Sequence, residues 1–203
     1  MVPSPDFDFE KSLLPSGCRY LLGLDEVGRG PLAGPVTVGA FLLDLSVFDP
    51  QTFINLGVRD SKLLTPSKRQ TINHHLQSHH HSLFFAPSQE IDNQGIAVVL
   101  KSLFTTALKF YSSYSPFCLI DGNYKFNFPN ARPIINGDQK CFSIAAASIC
   151  AKVHRDKLME NYHQKYPDYD FLHNKGYGTA KHLSALKTHG PCPLHRRSFI
   201  HFL

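Results

Sequence analysis

Three features are missing from this sequence of 203 residues, and each absence excludes a class of protein. No apolar run reaches the eighteen or so residues that a membrane-spanning helix requires, so we expect no membrane protein. Residues 1–16 carry acids and prolines where a secretory signal peptide would have a positive start and an apolar centre. The cysteines form no C-x-x-C pair, which favours free thiols in a reducing compartment, and hence the cytoplasm.

Internal repeats, linkers and low-complexity segments are also missing, which favours a single folded domain. We place this domain at residues 20–203, behind a loose N-terminal lead-in of residues 1–19, and expect a monomer. Hydrophobic residues make up 42% of the chain and charged residues 18%, as is ordinary for a globular protein.

The charge of the chain is positive and unevenly distributed. The formal net charge is +5 at pH 7, and the part that follows residue 151 holds nine lysines and arginines against four acids. This basic end favours a polyanionic partner such as nucleic acid, although a solvated basic face without a ligand is an equally ordinary explanation.

Carboxylates follow directly on apolar runs that are typical of buried strands. Asp25 and Glu26 come after the run at 20–24, and Asp121 comes after the run at 117–120. Burying an unpaired charge costs several kcal/mol, so these side chains need a cation, a donor or water. A hard metal ion such as Mg²⁺ is one candidate, since it prefers oxygen ligands, and a solvated turn is the other.

A glycine-rich turn follows the first pair of carboxylates. Gly28 and Gly30 let the backbone approach a ligand and offer N–H groups to a phosphate or a sugar hydroxyl. The turn also fits the dinucleotide-binding pattern G-x-G-x-x-G/A as a string. That motif opens a helix, whereas residues 36–43 predict a second strand, so we consider dinucleotide binding the weaker interpretation.

The best-marked helix is predicted at 143–164. Ile149, Val153 and Asp156 fall on one face of it, so Asp156 continues an apolar stripe. Asp156 therefore either meets a cation or joins the other carboxylates around a metal. Tyr177 lies between two glycines, as a surface loop residue or as a stacking platform for nucleic acid.

Further patterns predict the remaining elements. Helices are expected from Pro66 with Thr65 as N-cap, and at 95–111 and 179–188, with short strands at 82–86 and 132–135. The first of these helices ends in a cluster of five histidines, and they have no second ligand group at zinc-finger spacing, so we expect no metal site there. They are His74, His75, His79, His80 and His81.

Six motifs, in order from about residue 20 to residue 200, resemble the bacterial ribonuclease HII family. They are LDEVGRGPLAGPV at 24–36, DSKLL at 60–64, IDGN at 120–123, SIAAASIxAKVxRD at 143–156, GYGT at 176–179 and HRxSF at 195–199. The resemblance implies an α/β, RNase H-like fold, with a five-stranded mixed sheet, flanking helices and a C-terminal helical extension. Neither an extra N-terminal substrate-binding domain nor a C-terminal tail that docks on a replication clamp is expected.

The resemblance also implies an enzyme, a ribonuclease H that hydrolyses the RNA strand of RNA–DNA hybrids and cuts at single ribonucleotides embedded in duplex DNA. The cut would lie 5′ of the ribonucleotide and leave a 3′-hydroxyl and a 5′-phosphate. The four catalytic carboxylates of the family match Asp25, Glu26, Asp121 and Asp156. Together they would hold two Mg²⁺ or Mn²⁺ ions about 4 Å apart. Because neighbouring strand residues point to opposite faces, Asp25 and Glu26 would share a site only if the strand ends or bulges between them, or if Glu26 uses its carbonyl.

The same resemblance assigns the substrate contacts. Arg29 with the backbone of Gly28 and Gly30 matches the element that senses the ribose 2′-OH, and Tyr177 matches the ring that packs on the sugar at the RNA–DNA junction. Four basic residues lie in motifs near the substrate, namely Lys62, Lys152, Arg155 and Arg196.

Two other functions remain open from the residues. One is another RNase H-like nuclease, such as a resolvase or an exonuclease, that acts on DNA alone. The other is a non-catalytic module that binds nucleic acid through the basic end. The glycine turn argues against the first, and the separate carboxylate positions argue against the second.

Overall fold

The computed structural model describes residues 5–124 and 130–201. Its strands are β1 Tyr20–Val27, β2 Val36–Asp44, β3 His81–Ala86, β4 Phe117–Asp121 and β5 Ala131–Ile134. Its α-helices are α1 Asp8–Leu13, α2 Pro50–Leu56, α3 Pro66–Leu76, α4 Ser88–Gln94, α5 Ile96–Phe110, α6 Phe142–Lys165, α7 Phe171–Asn174 and α8 Ala180–His189. Residues 1–4 of the predicted lead-in and residues 202–203 of the predicted domain lie outside the described residues.

The five strands form one mixed sheet in the order β3-β2-β1-β4-β5. The pairs β1–β2 and β2–β3 are antiparallel, whereas β1–β4 and β4–β5 are parallel. One hydrophobic cluster joins a face of this sheet to α6, and a second cluster joins the other face to α5. The predicted five-stranded mixed sheet with flanking helices is therefore confirmed, and α7 and α8 follow it at the C-terminal end.

Two glycines let helix α6 lie directly against the sheet. A Cβ atom on Gly23 would come 2.1 Å from the backbone of Ser143, and one on Gly39 would come 2.3 Å from the carbonyl oxygen of Ala147. Neither strand position has room for a side chain. The close approach brings the first ten residues of α6, which are all buried, beside β1.

The expected N-terminal lead-in contains a helix in its described part, α1. The Glu10 carboxylate of this helix is fully buried. It accepts hydrogen bonds from the backbone N–H groups of Phe142 (2.6 Å) and Ser143 (3.0 Å) and from the hydroxyl of Ser143 (2.5 Å). The first N–H groups of a helix need acceptors, and α1 supplies them to α6 from 132 residues away.

Helix boundaries agree with the sequence patterns where caps mark them. The Thr65 hydroxyl accepts from the Lys68 N–H at the start of α3, and the Thr179 hydroxyl accepts from the His182 N–H at the start of α8. Among the helices of residues 5–124 and 130–201, none is long and apolar enough to cross a membrane.

Candidate active site

The predicted carboxylates meet where two parallel strands part. Pairing between β1 and β4 ends at Leu24 opposite Ile120, one residue before Asp25 and Asp121. One oxygen atom from each of Asp25, Glu26 and Asp121 lies within 4.8 Å of the others. Across the described part of the chain, this is the one group of three acidic, histidine or cysteine side chains that are close enough to hold a metal ion.

Asp25 and Glu26 reach the same site although the strand neither ends nor bulges between them. The ladder of β1 with β2 continues in regular register to Val27 opposite Thr37. We predicted that the two carboxylates would share a site only if the strand ended or bulged between them, or if Glu26 used its carbonyl. That prediction was wrong. The pairing of β1 with β4 has already ended at these positions, and the longer Glu26 side chain reaches the other two carboxylates.

Burial and mutual repulsion dominate the electrostatics of this group. Burial, followed by the charges of Asp121 and Glu26, raises the pKa of Asp25 well above its usual range. Burial also raises the pKa of Glu26. A hydrogen bond with the Ser148 side chain opposes the shift at Asp25, and the Ser148 hydroxyl lies 2.9 Å from that of Ser61. Nearby positive charge therefore does not offset burial and repulsion at Asp25 and Glu26, as is expected of a cation-binding site.

A fourth acid beside the group is Asp138, which the sequence interpretation missed. Its side chain is buried, and burial, followed by the charges of Asp121 and Asp60, raises its pKa to about 6. The ammonium of Lys62 lies 3.5 Å from it and is largely exposed. The only signal in the sequence was its place in Asn-Gly-Asp, directly before the α6 helix, which is also typical of a solvated turn.

Asp156, the predicted fourth catalytic carboxylate, does not belong to the group of three. Its two oxygens lie 2.6 Å from the Lys152 ammonium and 3.7 Å from the Arg69 guanidinium. The helix pattern left two alternatives for Asp156, contact with a cation or a place among the other carboxylates. The structure shows the contact with cations. Lys152 is accordingly occupied by this ion pair, and Arg69 was not predicted as a site residue.

The glycine turn adjoins the carboxylates through Arg29, whose guanidinium lies 3.8 Å from Glu26 and is more than half exposed. Gly28 has a φ of +85°, and a Cβ atom there would come 2.2 Å from the side chain of Arg155. A Cβ atom on Gly30 would meet no atom within 4 Å among the described residues. The turn is therefore packed on its inner side at Gly28 and open at Gly30.

Arg196 lies beneath the turn and is fully buried, although we expected it near the substrate. Its guanidinium donates to the carbonyl oxygens of Gly28 (2.6 Å), Arg29 (2.8 Å) and Gly34 (2.9 and 3.0 Å). The planar guanidinium group, with five N–H donors, suits such a set of acceptors. Arg196 therefore holds the turn from inside, and its guanidinium is not available to bind a phosphate directly.

Arg155 is also fully buried and connects the turn to the loop of Tyr177. It donates to the carbonyl oxygens of Pro35 (2.9 Å), Ala33 (3.2 Å) and Lys175 (3.0 Å). The Tyr177 side chain itself is 46% exposed. Arg155, which we expected near the substrate, thus makes a buried contact that fixes two segments relative to each other.

Sequence comparison identifies known proteins that are similar to this chain. The model of the family described as Ribonuclease HII matches residues 22–202. The ribonuclease HII of Chlamydia abortus is 43% identical over 194 residues, which cover 94% of this chain and 89% of that protein.

Solved structures agree with the fold. The ribonuclease H2 of Pyrococcus horikoshii OT3 superposes with a TM-score of 0.73 at 25% identity, covering 89% of this chain and 94% of that chain. Bst-RNase HIII in complex with Mn²⁺ superposes with a TM-score of 0.71 at 18% identity, covering 97% of this chain and 71% of that chain. The RNase H-like fold that the motifs implied is confirmed.

Proposed function

This chain belongs to the ribonuclease HII family, whose members are nucleases that act on RNA–DNA hybrids, and on that premise we propose that it also cuts duplex DNA at single embedded ribonucleotides. The cut falls 5′ of the ribonucleotide and leaves a 3′-hydroxyl and a 5′-phosphate. The observation that carries the proposal is the meeting of Asp25, Glu26 and Asp121 beside a glycine turn that Arg29 joins to Glu26.

The donor set fits divalent cations. Asp25, Glu26 and Asp121 offer carboxylate oxygens, which Mg²⁺ and Mn²⁺ prefer, and the raised pKa values of Asp25 and Glu26 reflect charge that a cation would balance. The Mn²⁺ complex of Bst-RNase HIII, which shares the fold, supports this choice of metal. Two such ions, when bound, would activate the attacking water and stabilise the leaving 3′-oxygen.

We propose Asp156 as the fourth carboxylate of the working site. Its oxygens are paired with Lys152 and Arg69, so it would join the other three only by exchanging one of these cations for a metal ion. Lys152, released in this way, and the exposed Lys62 would then face the phosphates of the substrate. Arg155 and Arg196 act indirectly, through the turn and the loop that they hold.

Recognition of the ribose is assigned to the backbone of the glycine turn. The carbonyl oxygens of Gly28 and Arg29 point inward to Arg196, and the space above Gly30 is open to a ligand. Peptide N–H groups in a turn that is held in this way cannot swing away from a 2′-OH, the one group that distinguishes the two sugars. The exposed ring of Tyr177 packs on the neighbouring sugar.

A labelled DNA duplex with one ribonucleotide tests the proposal. We expect a single nick with Mg²⁺ or Mn²⁺, with product ends that mark cleavage 5′ of the ribonucleotide, and no cleavage of an all-DNA duplex of the same sequence. Equal cutting of the all-DNA duplex would contradict the assigned role of the turn and favour a DNA nuclease. Binding without cleavage by either metal would favour a non-catalytic module.

A further inference from the structure

Two buried histidines lie in contact behind the Tyr177 loop, with their rings tilted by 44° to each other, where no substrate would reach them. The side chains of His182, on α8, and His195 are almost completely buried. Their Nε2 atoms lie 2.9 Å apart. The rings of Tyr169 and Phe171 pack against them, at centroid distances of 4.7 Å to His195 and 5.4 Å to His182. A buried imidazole pair of this kind requires a defined proton arrangement.

The partners of the outer nitrogen atoms determine that arrangement. The Tyr177 carbonyl oxygen, 2.8 Å from His182 Nδ1, only accepts, so Nδ1 carries a proton and Nε2 of a neutral His182 accepts. His195 must therefore donate from Nε2. Its Nδ1 then accepts from the Cys192 N–H at 3.0 Å. The hydrogen bonds thus run in one direction from Cys192 to the Tyr177 carbonyl.

The opposite arrangement would place a charge in apolar surroundings. The Cys192 carbonyl oxygen also lies 3.2 Å from His195 Nδ1, but a proton on that atom would require a doubly protonated His182. Burial lowers the pKa of His182, and burial together with His182 lowers the pKa of His195 to about 4. Neutral rings with the first arrangement are therefore expected near pH 7.

We propose that His182 and His195 are positioning residues that fix the Tyr177 loop for recognition of the sugar at the RNA–DNA junction, a role that rests on the proposed function of Tyr177. The Tyr177 carbonyl accepts from His182 and from the Thr179 N–H at 2.9 Å. Two donors at defined angles restrict rotation of this peptide group.

The same short segment supports the other recognition element. His195 forms an isolated bridge with Ala33 of the glycine turn, and the Arg196 N–H donates to the Leu32 carbonyl at 2.8 Å. The side chain of His195 therefore supports the Tyr177 loop through His182, and the side chain of Arg196 supports the glycine turn. A change in the imidazole pair should alter substrate recognition before it alters the carboxylate group.

Two substitutions of equal shape separate this role from simple packing. His182→Asn keeps an N–H donor at the position of Nδ1, and His182→Leu, which has the shape of asparagine, removes it. With the duplex that contains one ribonucleotide, we expect His182→Leu to raise KM about tenfold, with kcat within a factor of about two, and His182→Asn to restore KM to near the wild-type value. Equal KM values for the two variants would overturn the proposal.

Combining His182→Leu with Tyr177→Ala tests whether His182 affects KM through the Tyr177 loop. There, His182→Leu should change KM no further, because the ring that the pair positions is gone. The same increase in both backgrounds would indicate a general loss of packing and would overturn the proposal. A wild-type protein that does not nick the duplex would instead refute the proposed function.

The wild-type protein offers a readout that does not depend on how the variants fold. Long-range proton–nitrogen NMR spectra at pH 7 should identify His182 as the neutral tautomer protonated on Nδ1 and His195 as the neutral tautomer protonated on Nε2. Detection of the reverse tautomers, or of a charged ring, would contradict the arrangement on which the proposal stands.

Discussion

Two glycines of the turn differ in backbone conformation and in surroundings. Gly28 has a left-handed backbone conformation and lies against Arg155, whereas Gly30 has an ordinary conformation and faces open space. Glycine is needed at the first position for the fold. At the second position it leaves room for a ligand.

Alanine at each position should therefore have a different effect. We expect Gly28→Ala to lower the free energy of unfolding by about 1–3 kcal/mol, because of its φ of +85° and the clash with Arg155. Gly30→Ala should leave stability within about 0.5 kcal/mol and lower kcat/KM for a ribonucleotide substrate at least about tenfold. Urea unfolding and cleavage kinetics measure the two quantities, and full activity of Gly30→Ala would contradict ligand approach at this position.

Arg196 should resist conservative substitution. Lysine keeps the charge but not the planar set of donors, so several of the carbonyl oxygens that Arg196 binds would lose their partners. We expect Arg196→Lys to cost about 2–4 kcal/mol in urea unfolding and to raise KM. Arg197→Lys, at the exposed neighbouring position, is the matched control and should change neither. Equal stability of the two variants would show that charge alone suffices.

Helix α6 depends on an element far away in the sequence. Its first N–H groups donate to Glu10 of α1, whose carboxylate is fully buried. Burial raises the pKa of Glu10 to about 7 and outweighs the lowering effect of its hydrogen bonds with Ser143 and Phe142. The cap of the central helix is therefore sensitive to pH.

The direction of this sensitivity follows from proton binding. The unfolded chain loses the Glu10 proton near the ordinary pKa of 4.5, whereas the folded protein retains it to about pH 7. The folded state binds more protons in this interval, so the contribution of Glu10 to the free energy of unfolding should fall by on the order of 3 kcal/mol as the pH rises through it.

Denaturation of the wild type and Glu10→Gln between pH 4.5 and pH 8 isolates this contribution, because other buried acids titrate in both proteins. The stability of the wild type relative to Glu10→Gln should decrease as the pH rises to 7 and then level off. The exposed Glu90→Gln control should not alter the profile. A relative stability that increases with pH would mean that the helix N-terminus favours the charged carboxylate more than burial opposes it.

The sequence was informative where local chemistry determines structure. The apolar run that stops at Asp121 predicted a strand end, whereas β1 continues past Asp25 to Val27, and the hydroxyl cap at Thr65 predicted a helix start. Contacts between residues that lie far apart in the sequence could not be predicted from such local patterns. Arg155 contacts Pro35 across 120 residues, and a basic residue in a motif near the substrate is equally compatible with an exposed phosphate contact or a buried support.

At the scale of the whole molecule, the parts of the site come from distant segments. β1 and β4 supply the group of three carboxylates, the turn after β1 lies beside them, and Arg155 of α6 connects that turn to the loop of Tyr177. Buried arginines and histidines fix these parts relative to one another. The arrangement fits the proposed function, in which cleavage would require both a cation and a ribose at one position.

The proposed cleavage centre is the carboxylate group of Asp25, Glu26 and Asp121 near the ends of β1 and β4. The most direct test is the single-turnover cleavage rate of an RNA–DNA hybrid by Asp25→Asn, with Asp168→Asn, an exposed acid, as control. Loss of a metal ligand should slow Asp25→Asn by at least about a thousandfold, or about 4 kcal/mol, and leave the control unchanged. A rate for Asp25→Asn within about tenfold of the wild type would show that Asp25 is not part of the cleavage centre.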